Sequence, residues 1–325
     1  MKKNWRLLLS ASVALCAATL GSVPAQAAYP DKPVRLIVPY PPGGPTDILG
    51  RMAAQYMTEK LGQTFVVENK AGASGMIGAE MVARAPADGY TLLVNASIHV
   101  IYPSLYKNVP VDPIKDFTPI SQIALVPLVL VMRPDQPIQS VSMLIEEGKK
   151  DPGKFRFASS GNGAAPHLAG EAFNLMTGLH MQHIPYKGSS PALTDVMGGH
   201  VDLMFDSLPS SMPHIESGSL KALAVSTSSR VAALPDVPTI AEAGVPDYEI
   251  TTWYGLWGPK NLPADLTNKI SQLMADMVKD PKYRERLAAL GTEPVGSTPD
   301  TFATFQEAEA KKFADIVQRS GARVD

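Results

Sequence analysis

Cysteine is all but absent: Cys16 is the single one in 325 residues, and it stands inside an apolar N-terminal stretch. Such a chain closes no intramolecular disulfide and offers no thiolate pair to a metal or redox centre. Long apolar runs are missing after residue 20, so no later segment reads as a membrane span. Charged residues make up only 18% of the chain, with a formal net charge of −2. Without a basic excess it is a poor partner for nucleic acid or an anionic membrane. Enzyme signatures are missing too: there is no phosphate-binding loop ending in Gly-Lys-Ser/Thr and no His-Glu-x-x-His pair. The nearest approach to a serine-nucleophile elbow, Gly72-Ala73-Ser74-Gly75, carries Met76 where the last glycine is required. His180 and His183 are three apart on a strand-like run, where they face opposite sides and make no metal pair. The expectation is a chain with no cofactor, no metal and no catalysis.

What is present begins with a leader. Lys2, Lys3 and Arg6 precede the uncharged run Leu7–Leu20, and Ala25-Gln26-Ala27 supplies small residues for a cleavage site. That order is the order of a secretory signal, so residues 1–27 are expected to be removed after Ala27 and the remainder to work in the periplasm. Without the leader's three cations the net charge becomes −5. The remaining 298 residues can bury a core without disulfides and suggest two lobes.

Short apolar runs alternate with helical patterns, which reads as α/β. Val34–Val38 is a strand, and Pro39–Pro45 is a turn of proline and glycine. Ile48, Leu49, Met52, Ala53, Tyr56 and Met57 then share one helix face. Strands follow at Phe65–Val67, Tyr90–Asn95 and Val126–Met132, with a helix over Ala79–Ala85. Phe155–Ala158 is a strand that runs into Ser159-Ser160-Gly161-Asn162-Gly163, with a helix from about Pro166 to Met176. Val201–Phe205 is a strand ending at Asp206, and Leu220–Val225 and Ile250–Trp257 read as extended. From Pro263 the chain is helical. No linker separates the lobes, which favours an interleaved layout: residues 28–125 with 253–325 as lobe one and 126–252 as lobe two.

Two strand-to-helix turns stand out. Gly43 and Gly44 let the backbone approach a ligand closely, and Pro45 or Thr46 opens a helix. Ser160, Gly161, Asn162, Gly163 and Ala164 do the same before the helix at Pro166. The first free N–H groups of a helix, with the dipole behind them, attract carboxylates or phosphates. A tight structural turn explains either sequence equally well. Gly161-x-Gly163 begins like a dinucleotide fingerprint, but Pro166 stands at the third glycine position. Gly72–Gly78 is either a third anion loop or a close-packed one. Asp206 ends its strand near the lobe boundary, where it could accept a ligand donor or hold a loop. Tyr40, Trp253, Tyr254 and Trp257 are candidates for flat contact with a ligand, with core packing the favoured reading of the tryptophans. His167 could orient a loop.

These motifs together resemble the Bug family, the substrate-binding proteins of tripartite tricarboxylate transporters. The likeness runs through Tyr29-Pro30, Pro33 to Pro39 and Pro42-Gly43-Gly44 with Asp47. It continues through Asn69 to Gly78, Ala87 to Leu93, Lys115 to Pro119, Gly161 to Leu168, Pro185 to Gly188 and Asp202 to Asp206. It implies a type II periplasmic binding fold: two α/β lobes joined by two crossover strands, with a ligand cleft between them. It implies a small carboxylate as ligand, membrane permease subunits as partners, and a monomer. By the same resemblance Tyr40, Gly43, Gly44, Thr46 and Asp47 face the ligand from one lobe. Ser160, Gly161, Asn162, Gly163 and Ala164 face it from the other, and Asn95, Ser97 and Asp206 stand at strand ends beside it. A sensory binding module would look the same in sequence, and an exported hydrolase is the weaker alternative. Apolar Ile98 beside Tyr40 hints at a ligand with an apolar or aromatic body.

Overall fold

The strand β1 (Val34–Val38) sits between two parallel neighbours, β2 (Phe65–Asn69) and β3 (Thr91–Ala96). This is why its run Val34-Arg35-Leu36-Ile37-Val38 is almost wholly apolar: both faces are covered. The structure, a computed structural model, describes residues 29–321; the leader, Cys16 and the Ala27 cleavage position lie outside them. The body that carries the sheet begins at Lys32. Helix α1 (Pro45–Leu61) follows β1, α2 (Met76–Ala83) follows β2, and α3 (Ile98–Leu105) follows β3.

The chain then enters β4 (Phe117–Met132), which spans the junction between the lobes. Its first half pairs antiparallel with β9 (Thr251–Pro259), and its second half pairs antiparallel with β7 (Leu203–Ser207) and β8 (Lys221–Val225). In the second lobe, β5 (Arg156–Ser159) lies between β7 and β6 (Gln182–Pro185) and is parallel to both. The helices of this lobe are α4 (Val141–Lys150), α5 (Ala165–Thr177), α6 (Ser189–Gly198) and α7 (Leu208–Glu216). Strand β9 returns the chain beside β3. Helices α8 (Ala264–Met277) and α9 (Pro281–Ala289), the short β10 (Glu293–Pro294) and α10 (Pro299–Ser320) complete lobe one. Two α/β lobes joined by two crossover strands are thus present. The strand order is β2-β1-β3-β9-β4-β7-β5-β6.

Each lobe has its own core. In lobe one Ile37, Leu93, Trp253, Trp257, Phe302 and Phe313 pack together. In lobe two the sheet is covered on one side by Leu130, Phe157, Phe173, Phe205 and Tyr248, and on the other by Val129, Ala158, Leu193, Val196 and Met204. Burial of side chains this size contributes roughly 1.5–3 kcal/mol each, enough to replace disulfides.

Helices α4 and α7 have no sequence reading, and three further elements differ from theirs. Strand β4 starts at Phe117 rather than Val126, because its pairing with β9 absorbs Pro119, Ser121 and Gln122 through two register shifts. Helix α2 starts at Met76 rather than Ala79, since Gly75 in the left-handed region turns the chain into it. Helix α3 has no legible start signal and contains Pro103; only its packing under the sheet reveals it.

Candidate functional site

A cleft lined by residues of both lobes lies between them. The βα connections of both lobes open onto it, as the topology of open α/β sheets favours. Five helices begin in its lining: α1 at Gly44-Pro45-Thr46, α3 at Ser97-Ile98, α5 at Ala164-Ala165-Pro166, α6 at Gly188-Ser189 and α7 at Ser207. None of these five has a side chain capping its first N–H groups. Away from the cleft, α4, α9 and α10 are capped by Ser140, Asp280 and Thr298, whereas α2 and α8 have no side-chain cap. A helix start left uncapped presents orphan donors and about half a positive charge. Five of them converge on one small space.

No Lys, Arg, Asp, Glu or His lines this cleft. Its polar groups are neutral hydroxyls: Thr46, Ser97, Ser160, Ser189, Ser207 and Thr252, with Tyr40 and Tyr254. Several are already positioned by one another. Ser97 Oγ is 3.1 Å from Thr252 Oγ1, and Ser207 Oγ is 2.9 Å from the Tyr254 hydroxyl. Burial, above all, pushes the Tyr40 and Tyr254 phenols upward, so both remain protonated. The apolar part of the wall is Ile98, Ala96, Ala164 and the ring of Tyr40.

Behind the lining, ionisable groups hold the turns. Asp47 accepts the Gly43 N–H, Arg51 Nε and Asn69 Nδ2, each at 2.9 Å. Asn69 also donates to Tyr40 O. Burial opposes the charge on Asp47, but Arg51, the Gly43 N–H and Asn69 outweigh it and hold the carboxyl below its ordinary range. In lobe two Asp206 is fully buried and accepts Ser189 Oγ at 2.6 Å, Ser211 Oγ at 2.7 Å and Ser210 Oγ. Burial pushes Asp206 upward, while the three hydroxyls pull it back. Asp206 therefore ties together the starts of α6 and α7.

The expected residues divide between the lining and its support. Tyr40, Gly44, Thr46, Ser97, Ser160 and Ala164 line the cleft. Gly161 and Asn162 line an adjoining recess, which shares Tyr40 and Ser160 with the cleft and opens toward Lys187. Gly43, Asp47, Gly163 and Asp206 stand behind the wall: the Gly43 N–H is taken by Asp47, and the Gly163 N–H by His167 Nδ1 at 2.9 Å. Asn95 also stands behind it, its Oδ1 accepting the Ala96 N–H at 2.8 Å. Trp253 and Trp257 are buried in the lobe-one core, their indoles donating to Glu309 and Gln306; of the aromatic candidates only Tyr40 and Tyr254 reach the cleft. Gly72, Ala73, Ser74 and Gly75 line that same recess, the Ser74 carbonyl accepting from the Tyr40 and Tyr102 hydroxyls, and Met76–Gly78 already belong to α2. Sequence reasoning missed Gly188, Ser189, Ser207 and Thr252 as lining residues. The Pro185-Tyr186-Lys187-Gly188 turn carried a signal for the first two, but Ser207 and Thr252 carried none.

The hydrolase reading needs a nucleophile on the cleft. Ser159 Oγ is 2.6 Å from His183 Nε2, yet Ser159 is fully buried and neither residue is in the lining. Among the described residues there is no group of His, Cys, Asp and Glu able to hold a metal, and no helix long and apolar enough to cross a membrane.

Residues 49–322 match the model of the tripartite tricarboxylate transporter family receptor. Protein BugT of Bordetella pertussis is 36% identical over 98% of this chain and 98% of its own length. Among solved structures, the periplasmic binding protein BugD superposes with a TM-score of 0.87 at 38% identity, covering 91% of this chain and 99% of BugD. R. palustris Rpa4515, solved with adipate, gives 0.88 at 37% identity, covering 90% of this chain and 98% of its own. The fold is that of the periplasmic binding proteins.

Proposed function

We propose, for a chain that belongs to the tripartite tricarboxylate transporter receptor family, that the cleft captures a small carboxylate in the periplasm and delivers it to the membrane permease subunits of such a transporter. The observation that carries the reading is the convergence of five uncapped helix starts on a cleft without a charged side chain. A carboxylate there meets backbone N–H groups and hydroxyls, which release it without breaking a buried ion pair. The residues assigned to direct contact are Tyr40, Gly44, Thr46, Ser97, Ser160, Ala164 and Ser189. Gly43, Asp47, Asn95, Gly163 and Asp206 position them, and Gly161 and Asn162 border the entrance. The lobes are residues 28–125 with 253–325 and residues 126–252, closing on the ligand about β4 and β9. The protein acts as a monomer, enters the periplasm by its leader, and turns nothing over. Adipate, bound by Rpa4515, is a first candidate. The apolar wall at Ile98, Ala96 and Ala164 suits the methylene or aromatic body of such an acid.

A thermal-shift and calorimetry panel of aliphatic di- and tricarboxylates, acidic amino acids and aromatic acids tests this. A true ligand at about 100 times its Kd adds roughly 2.7 kcal/mol to stability, its methyl ester or amide adds nothing, and it is recovered unchanged. Equal binding of acid and ester, or turnover of any acid in the panel, would sink the reading.

A further inference from the structure

The recess beside the cleft differs from it in charge. Lobe one contributes Pro39, Tyr40 and the loop 72–75 to its wall, and lobe two contributes residues 160–162 and 185–187. Six of these side chains are polar, and they fall into two groups. Three are committed within the protein: Tyr40 donates to Ser74 O at 3.2 Å, Ser74 Oγ lies 2.9 Å from the Tyr106 hydroxyl, and Tyr186 donates to Asp195 Oδ2 at 2.6 Å. The other three, Ser160 Oγ, the Asn162 amide and Lys187 Nζ, have no partner among the described residues. All three can donate, and the ammonium can do nothing else. No Asp or Glu lines the recess, and Lys187 is the one charged residue in the lining of either space. Free donors gathered on a wall without acids match an anion. Tyr40 and Ser160 border both spaces, so a ligand body lying along these two side chains has one end in each.

We infer, on the carboxylate reading of the cleft, that the recess is a second anion subsite. It takes the far carboxylate of a dicarboxylate whose first carboxylate lies at the helix starts, with Lys187 as counter-ion and Ser160 and Asn162 as donors. Two carboxylates on one ligand repel, and the repulsion falls as they separate. The cleft meets the first with backbone N–H groups and hydroxyls but holds no full positive charge. The recess supplies one. Ser160 and Asn162 are half-buried, so their bonds to an anion are partly shielded from water. Lys187 is exposed at the end of a flexible side chain, and its three donors fix no single geometry, so it can follow carboxylates of several chain lengths. Selection therefore falls on the ligand's far end. A second carboxylate is favoured, a neutral end gains nothing, and an ammonium is repelled.

Ligands of equal length that differ only at that end provide the test. Calorimetry compares succinate, glutarate and adipate with their monomethyl esters, which keep one carboxylate for the helix starts, and adipate with ω-aminohexanoate. In the wild type at least one diacid should bind about tenfold more tightly than its own half-ester, the effect of a hydrogen bond to a charged group. The ω-aminohexanoate should bind more weakly than adipate and its half-ester. Lys187→Met should remove the preference, weakening the diacid about tenfold and the half-ester less than about twofold. Lys187→Glu should reverse it, so that ω-aminohexanoate binds more tightly than adipate. Lys187 is exposed and holds no other residue, so both variants should melt with the wild type. Equal binding of every diacid and its half-ester overturns the subsite and leaves the carboxylate reading standing. So does a Lys187→Met that weakens diacid and half-ester alike. If no diacid and no half-ester binds the wild type, the carboxylate reading fails and the subsite fails with it.

Discussion

The two turns that face each other across the cleft look alike in sequence but are anchored by different chemistry. The lobe-one turn is held by a carboxylate: Asp47 gathers Gly43, Arg51 and Asn69. The lobe-two turn is held by imidazoles: His167 takes Gly163, and His183 takes Ser159. Asp47 keeps its charge until the pH falls below the ordinary carboxylate value, so the anchor of the lobe-one turn is unchanged across the neutral and mildly acid range. One turn is anchored by a charged carboxylate and the other by aromatic rings, although both border the same cleft.

The largest effect expected is acid destabilisation, and it divides between the lobes. His99 in lobe one and His183 in lobe two are both held neutral down to about 3, each mainly by burial. Their folded values lie below the unfolded value near 6.5, so the unfolded chain binds the extra protons and stability falls as pH drops from about 6.5 towards 3. The loss by pH 4 should be on the order of several kcal/mol by chemical denaturation. His183→Gln should remove only the lobe-two share; removal of the entire acid slope would contradict the division.

Next is the glycine whose side would strike the opposite lobe. Gly163 has φ +73°, and a Cβ there would fall 1.8 Å from Leu105 Cδ1. Gly163→Ala should hold the lobes apart and weaken ligand binding by roughly 100-fold, equivalent to about 3 kcal/mol. Adding Leu105→Ala should restore part of that affinity, which calorimetry can read. Gly43 has φ +84° but meets only the Ser190 hydroxyl, at 3.1 Å, so Gly43→Ala should cost less. If Gly43→Ala proved the worse, closure would depend on the lobe-one turn instead.

Asp47→Ala leaves three donors without their acceptor and should lower stability by about 2–3 kcal/mol in urea melts. Its affinity loss should be the same at pH 7.5 and 5.5, because Asp47 is charged at both. The smallest effect is expected at the rim. Ser190 Oγ donates to Pro42 O across the cleft at 3.0 Å from an exposed position. Ser190→Ala should weaken binding about two- to fivefold and leave the melting temperature unchanged.

Much of the fold was legible because its signals are local. Val34–Val38 is apolar enough to mark a buried strand, Pro45 and Pro166 suit the first turn of a helix, and Gly43 and Gly163 tolerate positive φ without strain. These residues by themselves determined two α/β lobes and two strand-to-helix turns capable of meeting an anion. Tertiary structure decided which N–H groups remain for a ligand. The Gly43 turn is completed by Asn69, 22 residues beyond Asp47, and the lobe-two turn by His183, 24 residues beyond Ser159. It also decided that Trp253 and Trp257 belong to the core, and that Ser207 and Thr252 reach the cleft. A local sequence can place a donor at a helix start. Whether that donor is already satisfied depends on acceptors that only chain packing brings within about 3 Å.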